Sequence, residues 1–235
     1  MGSQFSGPFW SHTEGYSPKE MEAALDHFHS VLESQGPFDG VVGFSQGAAL
    51  AISYMHWHKK TQGLFPFKVA LLFSSVCSFS SDTEYSHQAI QDLNARGVSI
   101  TSADAIPHGL GKPEQALYDA LTNVIKPLRE GNALLPDIDL DEYFKGDHLD
   151  VPRLLLPELL DEKLGIPTLH MHGKGDAKFM RDMSLIARGL FDSSLMKTLE
   201  HSGTHHPPQK SSEIKQAVRA MEWVISKSQK MDLGR

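Results

Sequence analysis

Three polar residues in this 235-residue chain stand where short apolar runs give way to loops: Ser45, Asp176 and His205. Ser45 lies in Gly43-Phe44-Ser45-Gln46-Gly47, a GxSxG pattern with the apolar run Val41 to Phe44 before it and helix-forming sequence after it. In a nucleophile elbow, small flanking residues permit a sharp strand-to-helix turn, and the hydroxyl projects above the sheet at the helix N-terminus. A serine hydroxyl is a weak nucleophile near neutral pH and needs a base that is itself oriented by a carboxylate. Asp176, in HMHGKGD, and His205, in EHSGTHHP, each follow a later apolar run, in the order nucleophile, acid, base. Both fall where loops leave the carboxyl ends of parallel strands, which is where open α/β sheets place their sites. The chemistry this predicts is acyl transfer to a serine.

Bland readings of the same residues stay open. Asp176 could simply cap the helix that follows it, and His201 and His206 compete with His205 for the role of base. His170-x-His172 would place two imidazoles on one face of a strand, but no HxHxDH or HExxH completes a ligand set, so no catalytic metal is expected. Lys174-Gly175 lacks the glycine-rich run and the following Ser or Thr of a phosphate loop. Cys77 ends an apolar run and reads as a packed small residue rather than a nucleophile.

The elements that must position these groups follow from periodicity. Ser17-Pro18-Lys19-Glu20 is a helix start, with Met21, Ala24, Leu25, Phe28, Val31 and Leu32 at helical spacing after it and Gly36-Pro37 as a stop. Val41 to Phe44 reads as a short buried strand, followed by a helix from Gln46 to about His58. Further strands are predicted in FKVALLFSS (67 to 75), IPTLHMHG (166 to 173) and SLMKTLEHS (194 to 202), with helices over 178 to 191 and 212 to 227. Strands alternating with helices predict an α/β fold, a mostly parallel sheet with helices on both faces. The segment 78 to 165 breaks the rhythm. It offers one clear helix, Pro113 to about Arg129, amid sequence rich in Asp, Pro and Gly, and is read as an inserted cap in a single domain spanning 1 to 235.

Composition narrows the function classes. A net charge of −7 without a Lys/Arg cluster argues against a nucleic-acid partner, and the acidic PDIDLDEY (136 to 143) reads as solvated loop. One cysteine allows no intrachain disulfide, which fits a reducing, cytoplasmic compartment. No apolar run approaches a membrane span, and the first residues lack the basic and apolar regions of a signal peptide.

GPFDGVVGFSQGAALA (36 to 51), IPTLHMHGKGDAKF (166 to 179) and EHSGTHHPP (200 to 208) together resemble the three signature blocks of the yeast-type serine hydrolase family of the α/β-hydrolase superfamily, which includes thioesterases and esterases of fungal polyketide pathways. The resemblance implies Ser45 as nucleophile, Asp176 as orienting acid and His205 as base, with Gly203-Thr204-His205 and Pro208 in the family register. It also implies an oxyanion donor at the Gln46 N–H, an acyl site lined by Phe9, Trp10 and Phe44, and no cofactor. The implied substrate is a small acyl ester or thioester, such as a polyketide chain presented by an acyl carrier protein. Family members begin with a strand and an LHG-type loop for which this chain shows no counterpart. The fold is therefore expected to lack an N-terminal strand, to leave the Val41 to Phe44 edge unpaired, and to lack one oxyanion donor. On that ground a second reading stands beside the enzyme, a hydrolase-like protein that binds a small ligand or a partner without catalysis.

Overall fold

The computed structural model describes residues 11–13, 15–99, 108–126 and 152–233. Helix α1 (Pro18–Gln35) starts at the predicted capping box: Ser17 Oγ accepts from the Glu20 N–H, and the Glu20 carboxylate accepts from the Ser17 N–H at 3.0 Å. Its buried face carries Met21, Ala24 and Leu25. Strand β1 (Gly40–Phe44) runs into helix α2 (Gln46–Gln62), and β2 (Val69–Phe73) follows. Later in the chain come β5 (Thr168–Gly173), helix α5 (Lys178–Gly189), β6 (Met196–His201) and helix α6 (Ser211–Leu233).

The four strands form a parallel sheet in the order β1-β2-β5-β6. Register aligns their carboxyl ends: Phe44 lies beside Phe73, Phe73 beside Met171, and Gly173 beside His201. The loops leaving β1, β5 and β6 therefore emerge at one edge of the sheet. Strand alternation sorts the two faces. Ala70 and Leu72 pack with Leu25, Ile52, Met55 and Leu190 from α1, α2 and the end of α5. Leu169 and Met171 point the other way, onto Ala217, Ala220 and Val224 of α6. Among the described residues β1 pairs only with β2, and Val42 is 69% exposed, so the nucleophile strand forms an open apolar edge. Also among the described residues, no helix is long and apolar enough to cross a membrane.

The segment read as a cap holds more regular structure than its composition suggested. A two-residue strand β3 (Phe79–Ser80) pairs antiparallel with β4 (Arg153–Leu154), closing the segment at its base. Helices α3 (His87–Ala95) and α4 (Lys112–Ala120) follow β3, and α4 continues as a π-helical turn, Leu121–Ile125. Ile90, Leu93, Leu117 and Leu121 form a core with Met21 of α1 and Met183 of α5. Helix α3 escapes sequence reading because its start carries no capping signal: Ser86 is left-handed, with φ 61°, and its side chain makes no cap hydrogen bond. The stretch 136 to 143 and the expected end of α4 near Arg129 lie outside the described residues.

The reciprocal Ser17–Glu20 cap gives one expectation. Ser17→Ala should lower stability by about 1 kcal/mol, seen as a lower urea midpoint with an unchanged denaturant slope.

Candidate active site

The turn between β1 and α2 is the first component. Ser45 sits at φ 52°, ψ −119°, a backbone region that costs on the order of 1–3 kcal/mol for a residue other than glycine. The turn is held by the Ser45 N–H, which donates to the Phe73 carbonyl of the neighbouring strand at 2.9 Å. Ser74, the residue after β2, also has positive φ, 45°, so two adjacent strands end in a kink at the same level.

The two motif glycines do different jobs. A Cβ on Gly43 would lie 2.5 Å from Ala48 Cα and 2.7 Å from Ala48 N, so the strand and helix backbones can approach only if this position is bare. A Cβ on Gly47 would meet only His12 Nε2, at 3.6 Å, an ordinary contact.

Asp176 and His205 arrive from the ends of β5 and β6, and their loops are laced together. The Lys174 N–H donates to the His201 carbonyl at 2.8 Å and the Gly175 N–H donates to the Gly203 carbonyl at 2.9 Å. Gly173 permits this contact, because a Cβ there would lie 2.2 Å from the Thr204 carbonyl oxygen. The Arg181 guanidinium, on α5, donates to the carbonyls of both Lys174 and Asp176, holding the acid loop from the other side.

The result is a continuous chain of side chains. Asp176 Oδ2 accepts from His205 Nδ1 at 2.7 Å, and His205 Nε2 lies 2.9 Å from Ser45 Oγ, placed to accept its hydroxyl proton. Asp176 is 7% exposed, and its other oxygen accepts from the Ala177 N–H at 2.8 Å. Asp176 is not the cap of the helix that follows: Ala177 holds the N-cap position, with no side-chain cap hydrogen bond. With a proton on Nδ1 directed to Asp176, Nε2 has its lone pair toward the hydroxyl.

The competing histidines are engaged elsewhere. His201 is buried and its Nδ1 accepts from the Gly203 N–H at 3.1 Å; burial, with His206 nearby, lowers its pKa. His206 Nδ1 faces the Pro207 carbonyl at 2.7 Å, and its ring lies tilted against that of His201, centres 5.4 Å apart. Cys77 is fully buried, which pushes its thiol up to about 12 and removes it as a nucleophile at neutral pH.

Phe44 lies against the base, its ring centre 5.1 Å from that of His205, and is 39% exposed at the mouth. Gln46 contributes twice. Its N–H belongs to the first turn of α2, where no intrahelical acceptor exists. Its side chain accepts from the His12 N–H at 3.2 Å and donates to Ser11 Oγ at 2.7 Å and to the Tyr16 hydroxyl at 3.0 Å, tying the segment ahead of α1 over the elbow. Phe9 and Trp10 lie outside the described residues. Sequence reading did not single out Gly173, Arg181 or Tyr16, whose roles depend on contacts between distant segments. A glycine closing an apolar run directly before the acid loop was the one visible hint.

Comparisons with known proteins show the family to which the chain belongs. A family model described as serine hydrolase (FSH1) matches residues 6–217. Esterase alnB of Emericella nidulans is 29% identical over 237 residues, covering 99% of this chain and 83% of that protein. Serine hydrolase cnsH of Penicillium expansum is 29% identical over 227 residues, covering 96% and 93%. Among solved structures, a fungal esterase from Rhizomucor miehei aligns with a TM-score of 0.44 at 14% identity, over 91% of this chain and 61% of that one.

Two substitutions separate the motif glycines. Gly43→Ala should destabilise the fold by several kcal/mol, since the clash is with backbone, whereas Gly47→Ala should melt near the parent. A third tests the laced loops: Gly173→Ala should slow modification of Ser45 by a fluorophosphonate about a hundredfold, because His205 must shift with Thr204.

Proposed function

Because this chain belongs to the serine hydrolase (FSH1) family, we propose that it hydrolyses an acyl ester or thioester through an acyl-serine intermediate on Ser45. The observation that carries the reading is the unbroken Asp176–His205–Ser45 hydrogen-bond chain, at 2.7 and 2.9 Å. His205 Nε2 takes the hydroxyl proton as Ser45 Oγ attacks the acyl carbon, and the oxyanion forms against the Gln46 N–H. Collapse expels the alcohol or thiol, which leaves with the proton held by His205. Water then repeats the sequence on the acyl-serine, with His205 again as base, releasing the carboxylic acid and restoring the serine. Asp176 holds the tautomer throughout and stabilises the imidazolium. None of these steps calls on a cofactor.

In this reading the acyl group lies against Phe44, and the family resemblance assigns Phe9 and Trp10 to the same acyl site. A polyketide or other acyl chain carried as a thioester on an acyl carrier protein, in fungal secondary metabolism, is the substrate class this reading favours. The support is the sequence resemblance to the fungal enzymes and the similarity to an esterase and a hydrolase of fungi. Thioesters and oxygen esters pass through the same tetrahedral chemistry, so the triad serves either. Segment 78 to 165 acts as a cap. Its base reaches the site through Phe79, whose ring centre is 4.7 Å from that of Tyr16, the partner of Gln46. The lone, buried thiol fits a reducing, cytoplasmic setting.

A fluorophosphonate probe tests the nucleophile directly. The parent should label, Ser45→Ala should not, and Asp176→Asn should lose about four orders of magnitude in kcat with its fold intact, because an amide stabilises the wrong imidazole tautomer. A well-folded parent that fails to label would overturn the enzyme reading in favour of a hydrolase-like binding protein. Rates on matched acyl thioesters and nitrophenyl esters then decide between the two acyl classes.

A further inference from the structure

Helix α5 reaches the triad through one side chain. The acid loop between β5 and α5 is pinned by its own amides. The Lys174 and Gly175 N–H groups donate to the His201 and Gly203 carbonyls, and the Asp176 N–H closes the turn onto the Gly173 carbonyl at 3.2 Å. The carbonyls of Lys174 and Asp176 are held by a different group. Both accept from a single atom, Arg181 Nη1, with the Lys174 bond at 3.1 Å. The Asp176 carboxylate itself is fully engaged, one oxygen with the Ala177 N–H and the other with His205 Nδ1. The direction of Oδ2 therefore follows the backbone of residues 174–176, and Arg181 is what steadies that backbone from α5.

The base on which Arg181 stands is firm. Two residues further on, Met183 is buried in the core shared with Leu117 and Leu121, with Phe179 and Met180 packed against the same cluster. Next to it Ser184 Oγ donates to the Ser75 carbonyl at 2.9 Å, fixing α5 to the end of β2. Arg181 is itself half-buried, and the adjacent carboxylate, Asp182, is engaged by Lys178. Its bonds to the two carbonyls carry a charged donor, which makes them stronger than neutral ones.

We propose that Arg181 is a positioning residue of the triad: by holding the Lys174 and Asp176 carbonyls, it keeps Asp176 Oδ2 aimed at His205 Nδ1 through the catalytic cycle. The proposal rests on the hydrolase reading of Ser45, Asp176 and His205. Arg181 acts through Asp176 and touches no reacting atom, so its loss should slow the chemical step and leave substrate binding alone. A displacement of about 1 Å in such a group is enough to cost on the order of a hundredfold in rate.

The test compares Arg181→Met and Arg181→Lys with the parent in two readouts. On a nitrophenyl ester, Arg181→Met should lose about tenfold to a hundredfold in kcat with KM little changed. Arg181→Lys, whose Nζ carries hydrogens for both carbonyls, should recover most of that loss. In histidine-labelled protein, the ring nitrogen shifts of His205 should report the Nδ1–H form in the parent and in Arg181→Lys, and a mixture of both tautomers in Arg181→Met. Arg181→Gln, with an amide too short to reach the loop, repeats the comparison if Arg181→Met does not fold. The proposal is overturned if the methionine or glutamine variant keeps the parent's kcat and nitrogen shifts, if KM rises by as much as kcat falls, or if Arg181→Lys does no better than Arg181→Met. A parent whose Ser45 fails to label with a fluorophosphonate would instead sink the hydrolase reading. The His205 nitrogen shifts need no turnover and still decide whether Arg181 holds the acid in place.

Discussion

The candidate site depends on one contact, the backbone lacing of the loop after β5 to the loop after β6. Asp176 and His205 are 29 residues apart in sequence and belong to different βα units. They behave as a single part because Gly173 to Gly175 lie directly on His201 to Thr204, with amides donating to carbonyls across the contact. Hydrogen bonds between backbones hold position more firmly than those between long side chains, since few rotamers remain to be frozen. Ser45 then has to meet this acid–base unit from the far side of β2. The meeting is fixed by sheet register, with Phe44 beside Phe73 and Phe73 beside Met171, and by the strained turn that aims the hydroxyl. Strain at Ser45 is sustained by the close packing that Gly43 permits between β1 and α2 and by the Ser45 N–H bonded to Phe73.

The sheet separates two environments. On its α6 face the packing is apolar, with Phe73, Leu169, Met171, Ala217 and Val224 buried there. Toward its carboxyl end the α5 face carries His170, His172 and Ser184, and Ser184 Oγ donates to the Ser75 carbonyl at 2.9 Å. Alternation along β5 produces both environments from six consecutive residues, Thr168–Gly173. The near-continuous burial of this strand reflects cover on both sides, as expected inside a parallel sheet.

Features encoded within a few residues were legible in the sequence. The capping box at Ser17, the elbow at Ser45, the apolar strands and the amphipathic α6 each announce themselves through local spacing, and the order of Ser45, Asp176 and His205 follows from the loops that carry them. Assigning His205 over His206 needed the family register. In space the two differ because His206 turns its Nδ1 to the Pro207 carbonyl while His205 turns toward Asp176. What could not be read are the contacts that join distant segments. Arg181 donates to carbonyls five and seven residues before it, and Gln46 reaches back to Ser11 and Tyr16, 35 and 30 residues away. Helix α3 was hidden for a different reason: its core residues, Ala89, Ile90 and Leu93, are few, and its start has no side-chain cap.

The short ribbon of Phe79–Ser80 against Arg153–Leu154 brings together two points more than seventy residues apart in sequence. With its stem fixed, the entropy of closing such an excursion grows only with the logarithm of its length. The four-strand sheet and the loops bearing Ser45, Asp176 and His205 all lie outside that stem. Insertions and deletions at exposed turns between the two strands therefore have a route into the chain that leaves the triad in register. In sequence the excursion is separate from Ser45, Asp176 and His205, while in space its helices share a core with Met21 of α1 and Met183 of α5, so exchange is confined to its exposed turns.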